Sequence, residues 1–504
     1  MTIFPYLLKS IECVTAVDFT LKGKAMKIFV INEPFVSNFC RTQRWAARTR
    51  GRVLRAPDWL AYATAVLEKE IPTAKIKLFD FPAMNCYQNE FRNLIKKEKP
   101  DFVILDSTTP SIYSDIEYAK IVKNETSAKV IMVGPHISSL PEETLLLAKG
   151  NIDVGCLGEY DYTVKDVILN IENLRQVEGI CFLENGKPIK TAPRKLIQNL
   201  DELPFPAWHQ LDLMKYFDGG KLYPYIDIIS GRGCPNQCSF CLWPQVMHGL
   251  KYRFRSPINV VDEIEHDITL CPKVLKGGEF FFEDDTFTVN KERAIQISEE
   301  ILKRNLKLTF SVNARADIAD LEMFKIMKKA GCRELLVGFE SGVQKILDNV
   351  NKNLTLAQSR KFVEIAKKVG LQIHGCFVIG LPGETPETAQ KTIDFALQLD
   401  LTTIQFSGAV PFPGTKFFQQ CEKNKWLQTK NWDKWLDAGE QSPVVNYPYI
   451  TPTEIEHYVD KGLKKFYFRP KYMAKFLWDS RNPVDLYRKF RGAFNFFSYL
   501  LRKK

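Results

Sequence analysis

Short, almost wholly apolar runs alternate along this chain with longer segments whose apolar residues recur at helical spacing. Between Met26 and Glu172 the runs are KIFVIN (27–32), KIKLFDF (75–81), DFVILDS (101–107), KVIMVG (129–134) and IDVGCLG (152–158). Strands buried on both faces lose the in–out alternation of a one-sided sheet, and parallel neighbours need helical crossovers. The pattern predicts an α/β protein whose N-terminal domain, residues 26–172, is a doubly wound Rossmann-like sheet. Ligands of such sheets sit beyond the carboxyl ends of the strands. There the sequence places Asp106, Ser107 and Thr108, then Gly134, Pro135 and His136, then Gly155 through Gly158 to Glu159. None of these loops reads GxGxxG, so a dinucleotide is not the favoured ligand.

Residues 173–220 are less regular and include DELPFPAW (201–208), whose prolines cannot continue a helix, so this stretch reads as a linker. Alternation then resumes over residues 221–415, with YIDIIS (225–230), EFFFED (279–284), KLTFSVN (307–313), ELLVGFE (334–340), LQIHGCFVIG (371–380) and TTIQFSGAV (402–410). Amphipathic segments such as Ala294–Lys303 and Leu321–Ala330 separate them. Six such units predict a partial (β/α)6 barrel of TIM type, with function at the carboxyl ends of its strands.

Charge changes the picture at one end only. The chain has 504 residues and a net charge of +11. Residues 461–504 hold 13 Lys and Arg against Asp479 and Asp485, so the surplus belongs to that tail and the rest of the chain balances. A nucleic-acid surface would spread its charge over the fold, so no nucleic-acid partner is expected. Residues 416–504 read as a helical, basic and aromatic C-terminal region. After Asn482 and Pro483, the polar residues Arg488, Arg491, Asn495, Ser498 and Arg502 recur opposite Phe490, Phe494, Phe497 and Leu501. Such a helix suits peripheral contact with a membrane. No apolar run is long enough to span one. Residues 1–25 lack the features of a secretory signal and read as an N-terminal extension. The 12 cysteines mostly lie singly in apolar runs, which points to a reducing cytoplasm, with the tail at the inner face of the membrane.

Three of those cysteines stand apart. CPNQCSFC follows the first strand of the second domain and spaces Cys234, Cys238 and Cys241 as CxxxCxxC. Three thiolates can hold three irons of a [4Fe–4S] cluster and leave the fourth open. A structural zinc site would need a fourth ligand, which only Cys271 or His248 could supply, and no second CxxC is present.

With this loop in this place, the chain resembles the radical S-adenosylmethionine (SAM) superfamily. The resemblance implies that Cys234, Cys238 and Cys241 ligate a [4Fe–4S] cluster whose open iron chelates SAM. Reduction, by a flavodoxin- or ferredoxin-type donor, would then yield a 5′-deoxyadenosyl radical. Phe240 matches the aromatic residue near adenine. Glu283, Asp284 and Asp285 end the second strand and are expected at the SAM amine, whereas Gly277-Gly278-Glu279 precedes that strand and leaves Glu279 without a role. Asn313 and Arg315 end the third strand, with Arg315 suited to the carboxylate. Glu340 resembles the acid facing the ribose, and Gly380, Pro382 and Gly383 let the backbone approach adenine. His374 reads as a core histidine.

The pairing of the two domains resembles the cobalamin-binding branch of that superfamily. The matching pieces are Gly134-Pro135-His136 with Leu140-Pro141-Glu142-Glu143, Gly158-Glu159, FFEDDTF and PFPGT (411–415). The DxHxxG loop that gives cobalt an axial histidine is absent, since Ser107 and Thr108 follow Asp106. Cobalamin is therefore expected with its lower face free of histidine. CSFCLWPQ (238–245) and GPHISSLPEE (134–143) look most like the members acting on hopanoid and other isoprenoid lipids, by methyl transfer or head-group ring formation. A lipid or other poorly charged substrate is expected. The alternatives are a radical SAM methylthiotransferase of tRNA, a radical SAM enzyme of a non-lipid small-molecule pathway, and a non-catalytic cobalamin sensor.

Overall fold

The computed structural model describes residues 20–21, 24–37, 39–41, 47–48, 53–437, 440–470, 472–473 and 494. Most of the N-terminal extension and nearly all of the basic aromatic tail, including Arg488, Arg491 and Arg502, lie outside the described residues. Among the described residues no helix is long and apolar enough to cross a membrane.

The first domain is a seven-stranded sheet. Its strands are β1 (Lys27–Asn32), β2 (Lys75–Asp80), β3 (Phe102–Asp106), β4 (Lys129–Val133), β5 (Val154–Cys156), β6 (Ile180–Glu184) and β7 (Lys187–Lys190). They lie in the order β7-β6-β5-β4-β3-β1-β2, parallel from β1 to β5. The interior strand β3 is buried at every position, whereas edge strand β2 alternates between buried and exposed. Its lysines on the open side discourage pairing with another chain, as does KPIK at the opposite edge.

The stretch expected to be a linker supplies β6 and β7, so the sheet continues to Lys190 rather than ending before residue 173. The cause is local. Asn185 and Gly186 both take positive φ (52° and 76°), and Glu184 pairs with Lys187 across them, which makes a two-residue hairpin turn.

Six parallel strands form the second sheet in sequence order: β8 (Tyr225–Ile228), β9 (Glu279–Phe282), β10 (Phe310–Ala314), β11 (Cys332–Glu340), β12 (Gln372–Ile379) and β13 (Thr403–Gly408). This is the expected half-barrel. The two domains share packing, because helix α1 (Asp58–Glu70) belongs to the first yet its Trp59 and Leu60 join one apolar core with Trp243 and Met247 of the second. The strand that enters α1 also pairs with the chain before β8, through Leu54 and Phe217.

After the half-barrel the chain folds back. Trp432 packs edge-on against His136 of the first domain, and helix α2 (Pro452–Tyr467) lies on β12 and β13. A side chain at Gly462 would meet the Phe406 ring at 2.6 Å, so glycine is what lets α2 lie this close.

Candidate active site

The cysteine loop leaves β8 at the mouth of the half-barrel and is tied down along its length. Gln245 Nε2 donates to the carbonyls of Cys238, Ser239 and Cys241 at 3.2, 3.1 and 2.7 Å. Cys234 N–H donates to Gly249 O, Ser239 N–H to Val350 O, and Phe417 N–H to Ser239 O. Gly233 has φ +85°, and a Cβ there would lie 2.3 Å from Lys251 O, so this position admits glycine alone. Cys234 and Cys238 are buried thiols, and Cys241 is half-buried. Two donors face the sulfurs: Asn236 Nδ2 lies 3.6 Å from Cys234 Sγ, and Arg315 Nη1 lies 3.7 Å from Cys238 Sγ. The residues present fit a cluster held by three thiolates, since charge and hydrogen bonds at the sulfurs are what such a centre needs. Among the described residues no three His, Cys, Asp or Glu side chains converge as a single metal ion would require. Cys271 lies past the carboxyl end of the helix that returns to the floor of the barrel, and His248 is bonded to Asp285.

The acids after β9 serve three different ends. Asp284 is fully buried and accepts from Ser230 N–H and Oγ, both at 2.7 Å, so it clamps the end of β8. Asp285 accepts from Gly233 N–H at 3.0 Å and faces His248 Nδ1 at 2.8 Å, which anchors the cysteine loop. Glu283 turns into the lumen, 2.9 Å from Arg55. Glu279 sits at the floor of the barrel with Arg333, far from the mouth where β9 ends, and its role is structural.

On the later strands, Asn313 donates to Asp284 O at 2.9 Å. Arg315 is already engaged by Asp317 and by Lys352 O, besides facing Cys238. Glu340 ends β11 in a left-handed conformation (φ 62°) and pairs with the buried Lys352 at 2.7 Å. Sequence reasoning missed Lys352, which lies 12 residues downstream of its partner with no motif around it. Gly380 and Gly383 both take positive φ and back onto protein, against Ile455 and Asn349, while Pro382 O accepts from Asn349. Phe240 is half-buried and packs on the shared core. His374 faces the lumen, half-buried, with Nδ1 2.8 Å from Thr403 Oγ1.

In the first domain the loops at the carboxyl edge close on one another. Ser107 Oγ donates to Val133 O and accepts from Ile137 N–H, while Thr108 Oγ1 pairs with Ser111. His136 is buried, with Nδ1 3.1 Å from Thr109 Oγ1, and burial depresses its pKa to about 3. These side chains are taken up within the protein, and so is much of the loop backbone: Ser107 N–H donates to Asp106, Ser107 O accepts from His136 N–H, and Gly134 O accepts from Ser138. Gly134 (φ +100°) allows this closure, because a Cβ would lie 2.3 Å from Asp106 Oδ1. Pro135 starts the short helix that carries His136. Gly158 N–H is held by Ser138.

Glu159 makes an interdomain clamp instead of facing a cofactor. Both of its oxygens accept from Arg253 at 2.8 Å, and Arg232 bridges from Glu159 to Asp161. All four side chains are buried, and Arg232 also lies 4.4 Å over the Trp59 ring. Arg232 stands two residues before Cys234, so the clamp fixes the root of the cysteine loop to the first domain.

A cysteine loop so placed, at the open end of a parallel half-barrel and pinned to a doubly wound domain, defines a radical SAM enzyme. The sequence pattern of the radical SAM superfamily matches residues 228–396, and the chain belongs to that superfamily. An uncharacterized methyltransferase of Pyrococcus horikoshii is 34% identical over 473 residues, covering 93% of this chain and 98% of that protein. The anaerobic magnesium-protoporphyrin IX monomethyl ester cyclase of Rubrivivax gelatinosus is 28% identical over 81% of this chain and 71% of its own. The hopanoid C-3 methylase of Methylococcus capsulatus is 24% identical over 60% and 56%. Among solved structures, the radical SAM methyltransferase TsrM of Kitasatospora setae, with cobalamin and a [4Fe–4S] cluster bound, superposes with a TM-score of 0.66. At 17% identity over 92% of this chain and 90% of that one, the likeness is one of fold.

Proposed function

We propose that this enzyme is a cobalamin-dependent radical SAM methyltransferase acting on an unactivated carbon in the polar head of a lipid of hopanoid or other isoprenoid type. The observation that carries the proposal is the clamp itself. Arg232 joins the root of the cysteine loop to Glu159 and Asp161, at the carboxyl edge of the doubly wound sheet, and the TsrM structure of like fold has cobalamin and a [4Fe–4S] cluster bound. If one edge bears the cluster and the other cobalamin, holding the two rigidly together is what methyl transfer between them would require. The named hopanoid and porphyrin relatives, which methylate or close rings at carbon, support carbon chemistry, and the hopanoid methylase supports the lipid.

In this reading Cys234, Cys238 and Cys241 would hold the cluster, Asn313, Glu340 and Lys352 would line the SAM site, and the loops of Ser107, Gly134 and Gly158 would lie against cobalamin. The cluster supplies the electron that cleaves SAM, and cobalamin supplies the methyl group. The protein's own part is positional. Asn236 and Arg315 face the sulfurs, Asp284 and Asp285 fix the loop, and His136, shut against Thr109 and Trp432, would not be free to ligate cobalt.

Anaerobically reconstituted protein is expected to bind about four irons and to release 5′-deoxyadenosine on reduction. Changing Cys234, Cys238 and Cys241 together to Ala should abolish both, and release that survives the change refutes the proposal. Lipid extracts of a deletion strain should lack a methylated species present in the parent. A missing ring with the methyl pattern intact would favour head-group cyclisation.

A further inference from the structure

The parallel register shows which side chains line the half-barrel. Asp227, Phe281, Ser311, Glu334 and Gln372 share one layer, and Asn313, Leu336, His374 and Thr403 share the next one up. On this face Leu336 and Gly338 of β11 and Gln372, His374 and Cys376 of β12 are half-buried, whereas Asp227, Phe281, Ser311 and Glu334 are buried. Its β8–β9 side is strongly charged. Arg55 pairs with Asp218 at 3.2 Å and with Glu283 at 2.9 Å, and these three keep 12–15% of their side-chain surface accessible. Lys221 lies 3.4 Å over the Phe281 ring and donates to Ser311. Asp58 enters from the first domain at the start of α1, with its carboxylate on Trp59 N–H.

Arg55 takes two of the four carboxyl groups, and Lys221 takes none of them. Among the described residues Asp58 and Asp227 are left without a cation, and of these Asp58 has the Trp59 N–H. Asp227 is 5% exposed, and among the described residues its Oδ1 is buried without a hydrogen-bond partner. Burying a carboxyl without a partner is strongly unfavourable, and native chains seldom keep one unless a ligand answers it. A metal ion is a poor answer, since no three ligating side chains of the described residues converge there.

We infer that the wall of Asp58, Asp218, Asp227 and Glu283 receives a cationic, amine-bearing group of the substrate, with Asp227 as the residue that contacts it. The inference rests on the reading above that the half-barrel is the site of reaction, with Asp227 one layer below Asn313 and His374, and it narrows the substrate to one with an ammonium group on its polar head. Desolvation raises Asp227 to about 7, and a bound cation beside it restores the charged form. The same chemistry has a second source, the ammonium of SAM itself, and the test separates the two.

Hexylamine, hexanol and hexanoate are titrated calorimetrically into the reconstituted full-length protein and into Asp227→Asn, whose fold is checked by circular dichroism. Asp58→Asn serves as a second variant on the same wall. The wild type should prefer the amine by about tenfold, the worth of one charge-assisted hydrogen bond, and Asp227→Asn should erase that preference. Equal binding of the carboxylate, or an amine preference that survives in Asp227→Asn, overturns the inference. So does a parallel loss of SAM affinity in that variant, which would make the ammonium SAM's own. Iron content and 5′-deoxyadenosine release on the same preparation report on the radical reading separately. Amine selectivity without radical chemistry would sink that reading and leave this one standing.

Discussion

A carboxyl group buried without a partner ties stability to pH, and Asp227 shows the sign. Its pKa is raised by burial to about 7, against about 3.9 in an unfolded chain. The native state therefore holds a proton that the unfolded state gives up. This group's contribution is fully present below about pH 4 and is lost as pH rises through about 7. Three units correspond to about 4 kcal/mol. Urea unfolding of the cluster-free protein should show Asp227→Asn stabilised relative to the wild type at pH 8 and close to it at pH 4. A difference that does not change with pH would show that Asp227 carries no proton in the native state. In the sequence this residue is visible as the single acid of YIDIIS, an anomaly in an apolar run. The cysteines were legible for a stronger reason, because one loop with fixed spacing contains the whole signal. Arg232 and Arg253 were not, since their partners lie 71 and 94 residues away and ion pairing leaves no local pattern.

At the scale of elements, the strands of both sheets follow from their apolar runs, and the half-barrel is as the alternation predicts. The hairpin β6–β7 carried a readable signal in Asn185-Gly186 between ICFLE and KPIK, which the irregularity of the surrounding segment hid. Helix α2 is different, because what it covers is fixed only by tertiary packing. Its Ile455 is fully buried against Gly380, where an added Cβ would lie 2.7 Å from the isoleucine side chain. Gly380 lies in the turn after β12, so α2 supports that turn from behind. Ile455→Ala opens a cavity there and should cost about 2–5 kcal/mol. Chemical denaturation measures the loss. A change under about 1 kcal/mol would mean that the turn closes onto the gap and that α2 is dispensable to it.

For the whole molecule, the question is whether the two domains unfold as one. The apolar core runs through Trp59, Leu60, Trp243 and Met247, and beside it lies the clamp of Glu159, Asp161, Arg232 and Arg253. Removing one partner of a buried ion pair leaves a desolvated charge and typically costs about 3–5 kcal/mol, whereas replacing both by apolar residues is often neutral. Glu159→Gln strips the charge that Arg253 meets with two hydrogen bonds and that Arg232 shares. The variant should therefore lose stability within that range in protein lacking every cofactor. A residue that merely touched cobalamin would show no loss under those conditions. The paired change Glu159→Met with Arg253→Met should recover most of it, because the buried charge and its partner leave together. If the clamp couples the domains, Glu159→Gln should also split one urea transition into two, read as probe-dependent midpoints by tryptophan fluorescence and far-ultraviolet circular dichroism. A single transition at the wild-type midpoint would leave the coupling to the shared core and to contacts such as Leu54 with Phe217 and Arg55 with Glu283. The cysteine loop would then owe its position to Asp284, Asp285, Gln245 and its backbone bonds to Gly249, Val350 and Phe417.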